Sequence, residues 1–293
     1  KERMYRINPE KLAYEKQETG TLLKAGLVEP SISPWSSNIV MVKKKSSPDG
    51  SSNGFRMCFN YSTTLNPEVR ADAYPVPRID ETLDSLGGAA VFSAVDAMAG
   101  YHGVGVQAES TPMTAFSSPT YGLLQWCRMP MGMLNSTAVF ERMIEIVVGP
   151  ELLRKTVVAF IDDLVCFSRV RSSHIDDLGN MLEKLELAEM SLKLVKCLWF
   201  TTHMPFLGHE VIAGEGVTTD KSKCRAMFAL RPPSTSGDLA SFLGAAVFYA
   251  KFIPDFAAVA SPLRQLAITY KSKMTPLQGN RRWTKVHQKA FDA

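Results

Sequence analysis

Asp162 and Asp163 stand side by side at the centre of residues 157–167, whose sequence VVAFIDDLVCF is otherwise apolar. Carboxylates are almost never fully buried unless they are paired or bind a metal. Two adjacent ones amid core residues therefore call for a turn, a cation or both. Hard oxygen donors of this kind suit Mg2+, which takes one or two carboxylates together with substrate phosphates. A third carboxylate from another strand would complete a site for two cations about 4 Å apart, an arrangement that activates a hydroxyl and stabilises a leaving phosphate. Asp96, at the end of VFSAVD, is the candidate. For the isolated pattern, a hairpin with a solvent-facing Asp-Asp turn is the bland alternative.

The elements that must position these groups follow from local pattern. In a continuous strand, adjacent side chains point to opposite faces, so one of the two aspartates would face the wrong environment. Dividing the run as VVAFI, DD and LVCFS gives two strands joined by a tight hairpin turn that carries both carboxylates. Upstream, Ile79, Leu83 and Leu86 line one face of a short helix that Gly87 and Gly88 stop, and the β-rich run AAVFSAVDAM delivers Asp96. A second helix fits residues 137–148 with Val139, Met143 and Ile146 inward and Gly149 behind it. A third begins at Ser173, with Asp176 at capping-box spacing and Leu178, Leu182 and Leu185 facing the core.

From Pro232 the texture becomes that of a small helical lobe distinct from the mixed α/β body. Thr235 and Asp238 repeat the capping-box spacing ahead of Leu239, Phe242, Leu243 and Ala246, and Ser261-Pro262 reads as the start of the next helix. No internal repeat is found, and SSPDGSSNG (residues 46–54) reads as a turn-rich loop between two strands.

Of the 293 residues, 45% are hydrophobic and 21% charged, which argues for a large packed core and against disorder. The net charge of +4 is a weak lean towards polyanions. Residues 264–289 carry Arg264, Lys271, Lys273, Arg281, Arg282, Lys285 and Lys289 without an Asp or Glu; such a run fits a phosphate backbone or a solvated basic tail equally. The 5 cysteines are scattered and form no CxxC pair, so they read as reduced thiols of an intracellular protein, and a structural zinc site is not expected. No segment has the length of a membrane span or the pattern of a secretory signal, so no membrane partner is expected. A first residue of Lys suggests an excerpt of a longer chain.

A series of blocks, in order along the chain, resembles one family. FRMCFNYSTTLNP, AYPVPRIDETLDSLGGAAVFSAVDAMAGYHGV, MTAFSS, RMPMGMLNSTAVFERM, FIDDLVCFS, LKLVKCLWF and FLGH are similar to the successive motifs of gypsy-type LTR-retrotransposon reverse transcriptases, and the run from Gly216 to Leu266 resembles the thumb that follows them. The resemblance implies an α+β right-hand polymerase with fingers, a palm bearing an antiparallel sheet and the aspartate hairpin, and a helical thumb. Its expected divisions are fingers at 1–75 and 104–136, palm at 76–103 and 137–216, and at 217–293 the thumb with the start of a connection to a ribonuclease H domain outside this chain. It implies an RNA-directed DNA polymerase of a retrotransposon polyprotein, an intracellular nucleotidyltransferase of a cytoplasmic particle or the nucleus. Its partners would be an RNA or DNA template with primer and dNTPs; its cofactors would be two Mg2+, with Mn2+ as a substitute.

Residue by residue, the resemblance makes Asp96, Asp162 and Asp163 the catalytic metal ligands. Tyr101 would lie beneath the incoming sugar and crowd a 2′-hydroxyl. Arg56 and one of the lysines at 43–45, assigned as Lys44, would grip the triphosphate, a fork and a point charge respectively. Met131 and Gly132 would approach the nucleotide, Lys196 the leaving pyrophosphate, and Phe206, Leu207, Gly208 and His209 the primer terminus. Lys251 and Arg264 would follow the duplex backbone. Read alone, Tyr101 and Met131 suit a core, the lysines a solvated surface, and His209 a structural histidine.

Several positions depart from the family pattern. Phe160 stands for Tyr before the aspartate pair, Gly103 for Gln, and NYSTTLN for the usual DYR-x-LN block, with Asn60 and Ser62 replacing an acid and a base. These changes bear on template and nucleotide grip more than on metal binding. They motivate a second expectation, a degenerate or domesticated retroelement remnant that binds nucleic acid without polymerising.

Overall fold

The structure, a computed structural model, describes residues 4–44, 54–97, 100–270, 275–277 and 282–293. Contacts divide the chain into two compact units, Lys1–Thr202 and His203–Ala293. Most of the expected loop at 46–54 lies outside the described residues. Among the described residues no helix is long and apolar enough to cross a membrane.

In chain order the first unit runs α1 (Pro9–Lys24), β1 (Val28–Pro30), β2 (Ser37–Lys43), β3 (Phe55–Asn60), α2 (Ile79–Ser85), β4 (Val91–Asp96), β5 (Phe116–Ser118), β6 (Gly122–Trp126), α3 (Ser136–Val148), β7 (Val157–Phe160), β8 (Asp163–Ser168), α4 (His174–Leu187) and β9 (Leu198–Thr201). One sheet has the order β1-β6-β5-β2-β3 and the other β7-β8-β4-β9, the latter antiparallel throughout. In the second unit β10 (His203–Phe206), β11 (His209–Ile212) and β12 (Gly216–Thr219) form an antiparallel meander. Then come α5 (Lys221–Phe228), α6 (Ser236–Phe248), α7 (Phe256–Thr269) and α8 (Lys285–Asp292).

The four-stranded sheet is covered by helices, which explains why β7 and β8 read as near-continuous apolar runs rather than alternating ones. Val157, Ala159, Leu164 and Cys166 pack in one cluster with Ile144 and Val148 of α3 and Met181 and Leu185 of α4. Alternation sends Val158, Val165 and Phe167, which are also buried, to the opposite face. Within the five-stranded sheet, Phe116, Leu124 and Trp126 form a separate core with Leu22 of α1. Glu15 on α1 is fully buried; its carboxylate accepts from the hydroxyls of Thr19, Ser118 and Thr120, tying helix to sheet.

Four local expectations change. The turn of the aspartate hairpin comprises Ile161 and Asp162, and Asp163 is the first residue of β8, paired with Phe160. On α3 Val139 and Met143 pack against the core as expected, but only partly buried; the fully buried face is formed by Phe140, Glu141, Ile144 and Val148, and Ile146 is 75% exposed. The face is shifted because a buried polar residue, Glu141, belongs to it. Ser173 makes no capping box: its backbone is already helical (φ −83, ψ −10), so its hydroxyl cannot reach the first-turn amides and donates to Val170 O and Asp177 instead. Pro262 lies inside α7, which starts at Phe256. The Ala-rich first turns favour helix, and Ala260 and Leu263 are buried on one stripe, outweighing the one hydrogen bond a proline removes. The Thr235–Asp238 capping box forms as expected.

Candidate active site

The register of the four-stranded sheet decides what the three aspartates do. Asp96, the last residue of β4, is directly opposite Asp163 on β8. Cross-strand partners project to the same face, so these two carboxylates are neighbours despite a sequence separation of 67. Asp162 is next to them in the turn. Its predecessor Ile161 has φ 55, a left-handed conformation that a β-branched residue adopts only under constraint. The constraint is visible: Ile161 N–H donates to Glu141 Oε2 at 2.8 Å.

Electrostatically the cluster is frustrated. Desolvation, then Asp163 and Asp96, push the Asp162 carboxyl above the usual carboxylate range. Desolvation and Asp96 do the same to Asp163. Lys196 opposes both shifts, and its Nζ donates to Asp96 Oδ2 at 2.8 Å. One lysine thus faces three carboxylates. Asp162 Oδ1 is buried without a hydrogen-bond partner.

These observations fit a divalent cation: hard oxygen donors, an orphaned carboxylate oxygen and surplus negative charge that desolvation makes costly. Among the described residues no three acidic, His or Cys side chains are gathered into a ready-made shell. Asp96 is instead engaged by Lys196. The aspartates are adjacent by backbone register, and their side chains are not closed around a centre.

The turn after β4 supports the cluster from the other side. Tyr101 is buried in the 3-10 turn Gly100–Gly103, its ring stacked on Phe140 at 4.9 Å and 20°. Burial raises its phenol pKa, a hydrogen bond with Thr137 lowers it, and Asp162 and Glu141 raise it further. A Cβ on Gly100 would lie 2.6 Å from Phe140 Cζ, so this close approach needs glycine. Thr137, Phe140 and Glu141, all of α3, therefore touch both sequence segments that bear the aspartates. Sequence reasoning missed Phe140 and Glu141; the signal was a Glu within the apolar pattern of AVFERM.

The remaining expected residues occupy other places. Lys44 and Arg56 belong to the β2–β3 hairpin. Arg56 pairs with Val42 and the Lys44 amide bonds Gly54 O, so both cations stand on one face of that hairpin, diagonally related. Lys43, one residue back, faces the other way, and Lys45 lies outside the described residues. Met131 is 51% exposed, and Gly132 has φ 98. Asn66 holds this loop, donating to Gly132 O and accepting from Leu134 N–H, a role that was not anticipated for the NYSTTLN block.

Phe206, Leu207, Gly208 and His209 lie in the second unit, where Leu207 (φ 47) and Gly208 (φ 79) make the two-residue turn between β10 and β11. His209 is 2% exposed, with its ring 4.7 Å from Phe248, 5.9 Å from Tyr249 and 5.6 Å from Phe252. Lys251 and Arg264, also in this unit, lie over the rings of Phe252 and Phe256.

Residues 42–211 match the family model described as reverse transcriptase (RNA-dependent DNA polymerase). The chain belongs to the reverse transcriptase family. It is 36% identical over 245 residues to the retrovirus-related Pol polyprotein from transposon opus of Drosophila melanogaster, a match covering 84% of this chain and 24% of that protein. To the Pol polyprotein from transposon gypsy of the same fly it is 31% identical over 249 residues, 85% of this chain and 24% of the relative. The chain thus spans about a quarter of the length of these relatives. The foamy viral protease-reverse transcriptase, solved in complex with RNA/DNA hybrid, superimposes with a TM-score of 0.81 at 23% identity, covering 99% of this chain and 37% of that one. At this identity the likeness establishes the fold, the α+β right-hand polymerase of the reverse transcriptase family. Divalent-metal dependence is a property of that family.

Proposed function

We propose that this chain is the polymerase portion of a gypsy-type retrotransposon Pol protein, extending a primer 3′-hydroxyl with dNTPs on an RNA or DNA template. The observation that carries the reading is the register that sets Asp96 opposite Asp163, beside Asp162 in the hairpin turn. Asp96, Asp162 and Asp163 would hold two Mg2+, with Mn2+ as a substitute. When bound, such cations lower the pKa of the attacking hydroxyl and offset charge on the phosphate that leaves.

The chain's own residues bind and orient the reactants. Lys44 and Arg56 grip the triphosphate from one face of the β2–β3 hairpin, the first as a mobile point charge and the second as a planar fork. Tyr101, fixed on Phe140, crowds the 2′ position of the incoming sugar. Met131 and Gly132 border the nucleotide on a loop that Asn66 holds. Lys196 neutralises Asp96 in the free protein and serves the leaving pyrophosphate during turnover. The turn around Leu207 and Gly208, seated by His209, holds the primer terminus, and Lys251 and Arg264 follow the duplex backbone without reading sequence.

In this reading residues 1–75 and 104–136 are fingers, 76–103 and 137–216 palm, and 217–293 thumb. On the same reading the protein works inside the cell, in a cytoplasmic particle or the nucleus, a location that its retrotransposon relatives support.

Asp162→Asn tests the assignment. Primer extension in Mg2+ should be abolished while duplex affinity stays near that of the unmodified protein; retained extension would remove Asp162 from the site.

A further inference from the structure

The turn that presents Asp162 is held by a residue on a different element. Phe160 and Asp163 close the β7–β8 ladder, so the amide of Ile161, in the two-residue turn, has no strand partner there. It donates to Glu141 Oε2 at 2.8 Å, from the middle of α3. Glu141 is fully buried, and its second oxygen, Oε1, has no hydrogen-bond partner. A buried carboxylate with one oxygen unused is an expensive way to satisfy one amide. What it fixes is the left-handed backbone of Ile161 (φ 55), the residue that sets the direction in which Asp162 leaves the sheet. Phe140, the preceding residue of the same helix, stacks on Tyr101 and fills the space above Gly100.

We infer that Glu141 is a positioning residue: its Oε2 holds the Ile161 amide and thereby orients Asp162 for cation binding. The inference rests on the proposed polymerase reading of the aspartates. The requirement is for an acceptor at that reach, so amide and carboxylate are interchangeable there, whereas a shorter carboxylate is not. Supporting partners of metal ligands are typically worth about 10 to 100-fold in metal affinity or activity.

The test compares Mn2+ affinity by electron paramagnetic resonance in the full chain and in three variants, with Asp162→Asn defining the signal that belongs to this site. Glu141→Gln keeps the reach and drops the charge; it should retain the affinity of the unmodified protein. Glu141→Asp keeps the charge and loses the reach; it should bind Mn2+ about tenfold more weakly. Glu141→Met should behave like Glu141→Asp, and if it fails to fold, the Asp and Gln pair still decides. A buried charge that acts electrostatically would give the reverse ranking, and a purely structural residue would change melting temperature and leave the affinity of folded protein alone; either result overturns the inference. Mn2+ binding with this ranking but no primer extension would sink the polymerase reading and keep Glu141 in its role. Absence of any Asp162-dependent Mn2+ site would sink both.

Discussion

At the scale of single residues, the crowding of the aspartate cluster costs the fold stability that a bound cation would restore. Asp162 and Asp163 have carboxyl pKa values raised by desolvation and by neighbouring carboxylates. A group whose pKa is raised in the folded state favours folding below its unfolded pKa and loses that contribution as pH climbs through the folded value. Both aspartates therefore weaken the fold at neutral pH unless a cation is present. It follows that in EDTA at pH 7.5, Asp162→Asn should melt a few degrees higher than the unmodified protein. The increase in melting temperature that Mg2+ gives the unmodified protein should vanish in the variant. Differential scanning fluorimetry reads both, and a variant that melts lower in EDTA would show that Asp162 is satisfied in some other way. The aspartates were legible in the sequence because acidic residues inside an apolar run violate burial rules. Glu141 violates the same rule, yet a single Glu in a helix has an exposed face as its ordinary explanation, and only the register of α3 shows otherwise.

At the scale of elements, a buried polar network fastens α4 to the sheet that carries the site. His174, the first residue of α4, is fully buried; Nε2 meets Ser93 Oγ of β4 and Nδ1 meets Ser168 Oγ of β8, both at 2.8 Å. Ser168 in turn donates to Asp177, and Ser93 accepts from the Phe200 amide. Burial lowers the His174 pKa, partly offset by Asp177. Because the unfolded histidine, near pKa 6.5, takes a proton more readily than the folded one, stability should fall as pH drops below about 6.5. The expected result is a melting temperature that declines between roughly pH 6.5 and 5, with a smaller decline in His174→Gln; equal slopes would show that other groups dominate that window. Elements with strong periodicity or paired caps, such as α4 and the Thr235 box of α6, could be read from sequence. The start of α7 could not, because Ser-Pro signals a helix start locally while Ala260 and Leu263 are packed against α6 and extend the helix through the proline. The hairpin turn was off by one residue because sequence favours Asp-Asp in a turn and disfavours Ile. The ladder and the Glu141 acceptor reverse that preference.

At the scale of the whole molecule, one unit carries the acidic site together with Lys44 and Arg56, and the other carries Phe206 to His209 and the cations Lys251 and Arg264. A polymerase that reads duplex shape needs sequence-independent phosphate contacts, which release counterions and make binding depend on salt. The slope of log affinity against log salt should therefore be steep, and replacing Lys251 and Arg264 together by Ala should flatten it by about one to two units; an unchanged slope would place the duplex elsewhere. The collinear blocks made the right-hand fold and the family legible from sequence. They could not tell how the drifted NYSTTLN block serves the fold, which the structure resolves in part by showing Asn66 holding the loop of Met131 and Gly132. The central claim is that the aspartates brought together by β4 and the β7–β8 hairpin make this chain a polymerase. It is tested most directly by dTTP incorporation by the purified chain on poly(rA)/oligo(dT). The expected result is Mg2+-dependent extension of the primer; tight, salt-sensitive binding of the same duplex with no incorporation in either Mg2+ or Mn2+ would contradict it.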